Sequence, residues 1–539
     1  MRSARLAPLA IFVAVVLVLL PDLGRQNVWS KDEARDGLVA REMVEGGHWL
    51  IPHLGGHVYP YKPPLFHWLV ALVSSRGVTE WSLRLPSVLA AAGTAAVTYL
   101  IAARLATPAT GLIAATMLVS SATFVEWART GRLEMLLVFW ITLGFWSAMR
   151  WLERGRRRDA VLFAFALGLG CLTKGPVGLV PLGAVVIALG LLGRWSGRVL
   201  AEVGVVLALA AILPLTWLAL AAGGQEGLGG YVEAVIAIAG DEARASRNQH
   251  ALYAAQAIGI GFLPWTLLVP GAFVVLLRAW RQAWPLLLLP LLWIGLVLCV
   301  FTVLISPRAV HFLPVYPALA TLVAWAWSTC SARERRGMSV PLTVVLLAPV
   351  VFGFVIAVSP VSFVAHKRVT EIGSSLGLAL AGIGLVTALG VLAMARRQWP
   401  NHAMLVAGLG ALVAVLVLHL GVSTPLVNRA YPTRETAARL AAALPQSAQV
   451  AYLDRKFTTG LMFYLPQRPV EIRRVSALRD VAARPGFYAL VPGGEMAFIH
   501  GGLCVPARVL REASLFDDQY VLVDFEGIPA RWCSWPPGS

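Results

Sequence analysis

Hydrophobic residues in this chain come in blocks of about 18–25, one after another, over most of its length, and about 20 residues of α-helix cross a bilayer core. That pattern admits one broad class, a polytopic α-helical membrane protein. Composition agrees: of 539 residues, 58% are hydrophobic and 14% charged, whereas soluble domains run near a quarter charged. A soluble globular protein, a disordered chain, a collagen and a basic nucleic-acid-binding domain are all poor fits. The first block is one crossing among many, so it reads as a retained helix and not as a cleaved signal peptide.

Thirteen candidate spans follow, at about 5–23, 82–103, 107–125, 133–152, 159–173, 176–193, 199–221, 253–277, 284–305, 310–329, 340–359, 375–395 and 402–421. The turn Thr173-Lys174-Gly175-Pro176 divides the fifth from the sixth, as a tight hairpin or as a kink in one longer element. The net charge of +17 has a topological reading. With the N-terminus inside, alternate loops carry Arg2 and Arg5, Arg104, the run Arg150 to Arg158, Arg194 and Arg198, Arg278 and Arg281, Arg333 to Arg336, and Arg396 and Arg397. The opposite loops hold the acids, including Asp32, Glu33, Asp36, Glu42 and Glu45, then Glu226, Glu233, Asp241 and Glu242. This is the positive-inside pattern. It predicts an odd number of crossings, a cytoplasmic N-terminus, and long outer loops at 24–81 and 222–252.

Within the first loop the spacing predicts a helix over Asp32–Glu45 and an interfacial segment over Leu65–Val73, too short to span. From about 425 the composition shifts to charges, turn residues and short β-rich runs at 450–453, 487–491 and 520–523, with helical patches at 432–444 and 475–483. Alternating helix and strand predicts a small α/β domain over 425–539, after a transmembrane domain over 1–424. The five cysteines show no metal-ligand spacing. Cys504 and Cys533 share the last segment, where an oxidising compartment would let them pair.

The polar residues that can carry chemistry fall on one side by this topology. Asp32 and Glu33 open the first-loop helix; adjacent carboxylates shift each other's protonation and make candidate bases, while acids at a helix start are also ordinary dipole partners. Lys62 stands before two prolines, so a stiff turn presents one cation at a fixed place, as suits a phosphate; the plainer reading is a snorkelling lysine. Lysine is scarce, 5 against 40 arginines. Glu134 opens the fourth span, where a carboxylate is costly unless solvated or paired, and Arg129 and Arg132 are the ready partners. Arg308 and His311, three apart, share a helical face and read better as anion contacts than as a metal site. Acids and cations around one surface fit a phosphate leaving group, which needs positive charge, and a hydroxyl acceptor, which needs a base. Glycoside hydrolysis instead needs an acid and a second carboxylate across the bond. Two acids facing a phosphate also leave room for a divalent metal, though no ligand set is visible.

The stretch Asp32-Glu33-x-Arg35, Arg41-Glu42-Met43, Trp49, Pro52, Tyr59 and Lys62-Pro63-Pro64-Leu65, followed by Thr173-Lys174-Gly175-Pro176 and Leu313-Pro314-x-x-Pro317, resembles the bacterial aminoarabinose transferase-like glycosyltransferases. These form the lipid A-modifying branch of the protein-O-mannosyltransferase-like superfamily, with the GT-C fold. The matches span roughly residues 30–317. The resemblance implies an inverting transferase that moves a sugar, such as 4-amino-4-deoxy-L-arabinose, from a polyprenyl-phosphate carrier to lipid A or another envelope acceptor on the periplasmic face of the inner membrane. It implies catalytic roles for Asp32, Glu33 and Glu134, and a donor-phosphate site of Lys62, Arg35, Arg308, His311 and Tyr59. Glu134 stands where members often carry Asp, His311 where they often have Tyr, and Asp36 where many have an aromatic residue. Two other readings share the helices: a protein O-glycosyltransferase of the mannosyltransferase type, and a flippase for a lipid-linked sugar. A flippase tends to place ionisable groups at mid-membrane in repeated halves, and the chain shows no repeat. Membrane lipids are the expected surroundings, and no nucleic acid is expected as a partner.

Overall fold

The computed structural model describes residues 2–59, 62–222, 251–304, 308–338, 347, 349–351, 354, 362–365, 368–371, 374–453, 458–472, 486–495, 508–515 and 518–524. Among them eight helical runs are long and apolar enough to cross a membrane, or nine when the bent pair 108–119 and 122–128 counts as one span. The protein is a multi-pass membrane protein. The expected span at 340–359, most of the loop 222–252, the patch 475–483 and the pair Cys504 and Cys533 lie largely or wholly outside the described residues.

The chain opens with α1 (Arg2–Leu19) and crosses the first loop through α2 (Lys31–Gly46), the two-residue strands β1 (His53–Leu54) and β2 (His57–Val58), and α3 (Leu65–Leu72). Then come α4 (Glu80–Leu105), α5 (Pro108–Val119), α6 (Ala122–Ala128) and α7 (Leu133–Arg154). Caps explain several of these starts. The Ser30 side chain accepts from Glu33 N at 3.2 Å to begin α2, and Thr79 and Ser82 form a reciprocal capping box at the start of α4; such a cap contributes about 1 kcal/mol. α4 and α7 lie at the centre of the bundle, where small residues allow close approach. A Cβ on Gly93 would meet the Phe139 ring at 2.6 Å. By contrast Leu200, Val205, Ile212 and Leu215 on the helix Gly197–Ala222 are exposed, as a lipid-facing surface requires.

Three spans differ from expectation. The stretch 107–125 is broken, since α5 and α6 meet at 70°. The divider between the fifth and sixth spans takes one of its two expected forms, a tight turn: Gly178 in the 3-10 turn Gly175–Leu179 packs on the backbone of Gly170 and Cys171, and Leu182, Val185 and Leu189 join Phe163 and Leu167 in one cluster. The region expected as spans 253–277 and 284–305 is instead a short helix Ala251–Gly261, a 3-10 turn Trp265–Leu268 and an uninterrupted helical element Val269–Cys299. The cation Arg278, expected in a loop, is in that element and pairs with Glu334 at 2.6 Å.

A short hairpin joins β3 (Ser362–Ala365) to β4 (Arg368–Glu371). The C-terminal sheet has five strands, β5 (Gln449–Leu453), β6 (Arg468–Ile472), β7 (Phe487–Pro492), β8 (Arg508–Leu515) and β9 (Asp518–Asp524), in the order β6-β5-β7-β9-β8. β5 is parallel to β6 and β7; β9 is antiparallel to β7 and β8. Three of these strands and the helix Thr433–Ala441 match the sequence reading; β6, β8 and the helix Thr458–Tyr464 go beyond it.

This sheet region does not pack alone. Leu38, Val39 and Met43 of α2, Leu54 of β1, Tyr59 and Ala71 share one buried cluster with Leu440, Val450, Tyr452, Leu461, Leu490 and Leu522. Arg41 of α2 donates to the carbonyls of Leu465 at 2.7 Å and Gln467 at 3.0 Å. At its other end, the helix Pro400–Leu418 continues through a π-turn and Thr424–Ala430 toward Thr433–Ala441. First loop and C-terminal region thus form a single layer on one end of the bundle.

Candidate active site

Asp32 occupies the first turn of α2, with its side chain one-third exposed. Three guanidiniums surround it: Arg35 at 3.5 Å, Arg132 at 3.2 Å and Arg308 at 3.7 Å. They come from α2, from the turn before α7 and from the extended residue before the 3-10 turn Ala309–Val315. Burial pushes the Asp32 carboxyl up, but Arg132 and Arg35, then Arg308, outweigh that and hold it below the usual carboxylate range. Asp32 is therefore a carboxylate at neutral pH.

Glu134 lies deeper, in the first turn of α7, 3% exposed. Its Oε1 takes Arg132 at 3.1 Å and Lys174 at 3.2 Å, while Oε2 is buried with no hydrogen-bond partner. The helix dipole favours both members of the Lys174 pair, since Glu134 begins its helix and Lys174 ends its own. Lys174 also lies 5.8 Å from the centre of the Phe301 ring, and Phe301 stacks on His311 at 4.9 Å. Phe301 belongs to a π-turn, Val300–Leu304, a distortion often found at functional sites. Tyr59 is buried and hydrogen bonds Arg35; burial first, and then Asp36, push its phenol well above the ordinary value. Lys62 sits at the margin of the group, close enough for its charge to act on both Glu134 and Lys174.

The fold thus gathers Asp32, Arg35, Tyr59, Lys62, Glu134, Arg308 and His311 from three separated stretches. Glu33 is oriented elsewhere. Its Oε1 accepts from Arg84 Nε at 2.7 Å and from Gly131 N at 2.8 Å, and its Oε2 from Arg84 Nη2 at 3.2 Å. Arg84 in turn donates to the carbonyls of Leu23 and Gln26. Both oxygens of this carboxylate are engaged, and it joins α2 to α4 and to the turn before α7.

Sequence reasoning treated Arg132 only as a partner for Glu134, but it bridges Glu134 and Asp32. Lys174 carried a signal, being one of few lysines and set in a turn between spans. The Asp36–His67 contact, 3.0 Å and buried, carried none. Residues 31 apart were not linked by any local spacing. No group of three His, Cys, Asp or Glu side chains suited to a metal ion occurs among the described residues. An apolar cavity of about 360 Å³ lies beside the Phe301 element, lined by Ala254, Ile258, Phe262, Val269, Leu298 and Leu319 among others.

Comparisons with known proteins agree with this architecture. The family model described as dolichyl-phosphate-mannose-protein mannosyltransferase matches residues 61–217. The undecaprenyl phosphate-alpha-4-amino-4-deoxy-L-arabinose arabinosyl transferase of Pseudomonas aeruginosa is 31% identical over 349 residues, 62% of this chain and 61% of the relative. The chain thus spans about three fifths of that relative's length. A protein from Aquifex aeolicus is 29% identical over 356 residues, 63% of this chain and 68% of the relative. Among solved structures, ArnT from Cupriavidus metallidurans bound to undecaprenyl phosphate superposes with a TM-score of 0.76 at 19% identity, covering 96% of this chain and 98% of that one. Its apo form gives 0.73 at 20% identity, covering 95% and 97%. At that identity the likeness establishes the fold, which this chain shares with ArnT, and the sequence matches add a similarity to the aminoarabinosyl transferases over about three fifths of the chain.

Proposed function

We propose that this protein is an inverting glycosyltransferase that takes a sugar from a polyprenyl-phosphate carrier and passes it to an envelope acceptor. The observation that carries this reading is the partly open Asp32 carboxylate ringed by Arg35, Arg132 and Arg308, with Lys62 near the adjoining Glu134–Lys174 pair. Cations in excess suit a phosphate leaving group, whose departure needs neutralised charge and no proton. The acceptor oxygen attacks the anomeric carbon from the face opposite the phosphate. The new C–O bond forms as the sugar–phosphate bond breaks, which inverts the centre and releases polyprenyl phosphate. Where the acceptor is a hydroxyl, Asp32 takes its proton as the bond forms. Lys62, Arg35 and Arg308, with Tyr59 and His311, hold the donor phosphate. Glu134 keeps Arg132 and Lys174 in place beneath it, and Glu33 positions α2.

The relatives named as aminoarabinosyl transferases make 4-amino-4-deoxy-L-arabinose the favoured sugar, and the family resemblance of the first-loop motifs makes lipid A the favoured acceptor. The positive-inside pattern supports a site on the periplasmic face of the inner membrane. Nucleotide sugars are not expected there, so the donor must be membrane-borne. The test is a lipid A mass spectrum from cells lacking the gene, then restored with wild type or Asp32→Asn. Loss of a sugar-sized mass that only wild type restores is the expected result. The family-model match favours a second reading, transfer to protein Ser or Thr. An unchanged lipid A spectrum together with lost glycoprotein masses would select it. Release of free polyprenyl phosphate on turnover separates both from a flippase.

A further inference from the structure

Arg41 and Glu42 are neighbours on α2, and both are occupied away from the charged cluster. Arg41 is bound into the C-terminal region, as described above. Glu42 reaches across to the β1–β2 turn, where its Oε1 accepts from Gly55 N at 2.5 Å and its Oε2 from Gly56 N at 3.2 Å. A carboxylate holding two successive backbone amides is a charge-assisted, bidentate contact. It requires the turn to present both N–H groups to one side. Gly55 and Gly56 have φ of +62° and +80°, a left-handed backbone that glycine adopts at little cost. The turn has no slack on its other side, since a Cβ on Gly55 would stand 2.5 Å from Glu471 N in β6.

The strand leaving this turn is followed at once by Tyr59, which bonds Arg35. His53 pairs with Val58 and Leu54 with His57, and Tyr59 N then donates to Pro52 O at 2.7 Å. Tyr59 is buried among Leu38, Met43 and Leu54 and bonds Arg35. Lys62 follows three residues later. α2 therefore carries Asp32 and Arg35 at its start and, ten residues on, the group that fixes the turn into β2, after which come Tyr59 and, three residues on, Lys62.

We infer that Glu42 is a positioning residue for donor binding: through the Gly55–Gly56 turn it sets the distance between Asp32–Arg35 and Tyr59–Lys62. This rests on the proposed role of Lys62 at the donor phosphate. The geometry itself does not. Glutamine at 42 keeps one acceptor oxygen and turns a donor amide toward the second N–H, so it releases half the contact while preserving size.

The test uses the full chain in lipid nanodiscs, with hydrogen–deuterium exchange over residues 52–62 and binding of undecaprenyl phosphate as paired readouts. Glu42→Gln is expected to speed exchange in that segment and to weaken binding about tenfold, the scale of one lost charged hydrogen bond. Turnover at saturating donor should stay near wild type, so the effect appears in KM. Glu45→Gln, at an exposed position on the same helix, should change neither readout. Unchanged exchange in Glu42→Gln, or faster exchange with unchanged binding while Lys62→Ala weakens it, would overturn the inference. If Lys62→Ala leaves binding intact, the donor-phosphate reading fails, and exchange still decides whether Glu42 holds the turn. Should Glu42→Gln not fold, Gly56→Ala replaces it. That position has open space around its Cβ but a left-handed φ, and the same faster exchange and weaker binding are expected.

Discussion

Asp32 and Glu33 are adjacent in sequence and stand in opposite physical situations. Around Glu33 the charges are paired: both oxygens are used, Arg84 is equally buried, and the carbonyls of Leu23 and Gln26 accept from its Nη1. Around Asp32 and Glu134 they are open. Asp32 meets its arginines at 3.2–3.7 Å with a third of its side chain exposed, and Glu134 Oε2 has no partner. A completed network holds helices together, while an incomplete one has capacity left for a ligand. The difference follows from where the helix turns each side chain, since consecutive residues on a helix point about 100° apart.

The largest effect expected from this contrast is on turnover. Asp32→Asn should reduce it by about 10²-fold or more, the range for a lost general base, at unchanged expression and thermal stability. Wild-type turnover in that variant would remove Asp32 as the base. Glu33→Gln should do the reverse. Leaving Arg84 buried without its partner costs about 3–5 kcal/mol, seen as a lowered unfolding temperature or lost yield. The double variant Glu33→Leu, Arg84→Met should recover much of that stability, because apolar residues of similar volume often replace a buried pair at no cost. If Glu33→Gln instead folds normally and is inactive, the two acids are not divided as proposed.

Smaller effects are expected at the rim. Lys62→Ala should raise the KM for the lipid-linked donor about tenfold. Arg308→Ala, at an exposed position, should raise it only a few-fold, as for a largely solvated charge. The smallest is a shift in pH dependence. The Asp32 carboxyl is held below its ordinary value near 3.9. The stability it contributes is therefore present above that value and is lost as pH falls through the lower folded one. The acid limb of kcat/KM attributable to Asp32 should lie below about pH 4. Arg308→Ala removes one of the lowering charges and should move that limb upward.

Much of the fold was legible in the sequence because its signals are local and repeated. Hydropathy in blocks of helix length marked α4, α7 and most other spans to within a few residues. Ser30 and Thr79 marked helix starts. The break between α5 and α6 and the element Val269–Cys299 escaped prediction. Hydropathy measures how apolar a stretch is, not whether it bends or continues. In the site, Asp32, Lys62, Glu134, Arg308 and His311 stood out as polar or charged residues beside apolar blocks. Their partners did not, since Arg132 must choose between acids 2 and 100 residues away, and Asp36 meets a histidine that looks like one more interfacial residue.

The sequence alone determined that this chain inhabits a membrane, roughly where it crosses, and which charged side chains stand at the ends of its apolar blocks. These follow from transfer free energies, which each segment carries independently of its neighbours. Only the tertiary structure decided that Glu33 serves Arg84 and Asp32 the open site, that Glu42 holds the turn before Tyr59, and that the first loop shares its core with the C-terminal sheet. Those depend on direction and distance between residues tens to hundreds of positions apart, which hydrophobicity and local spacing do not encode.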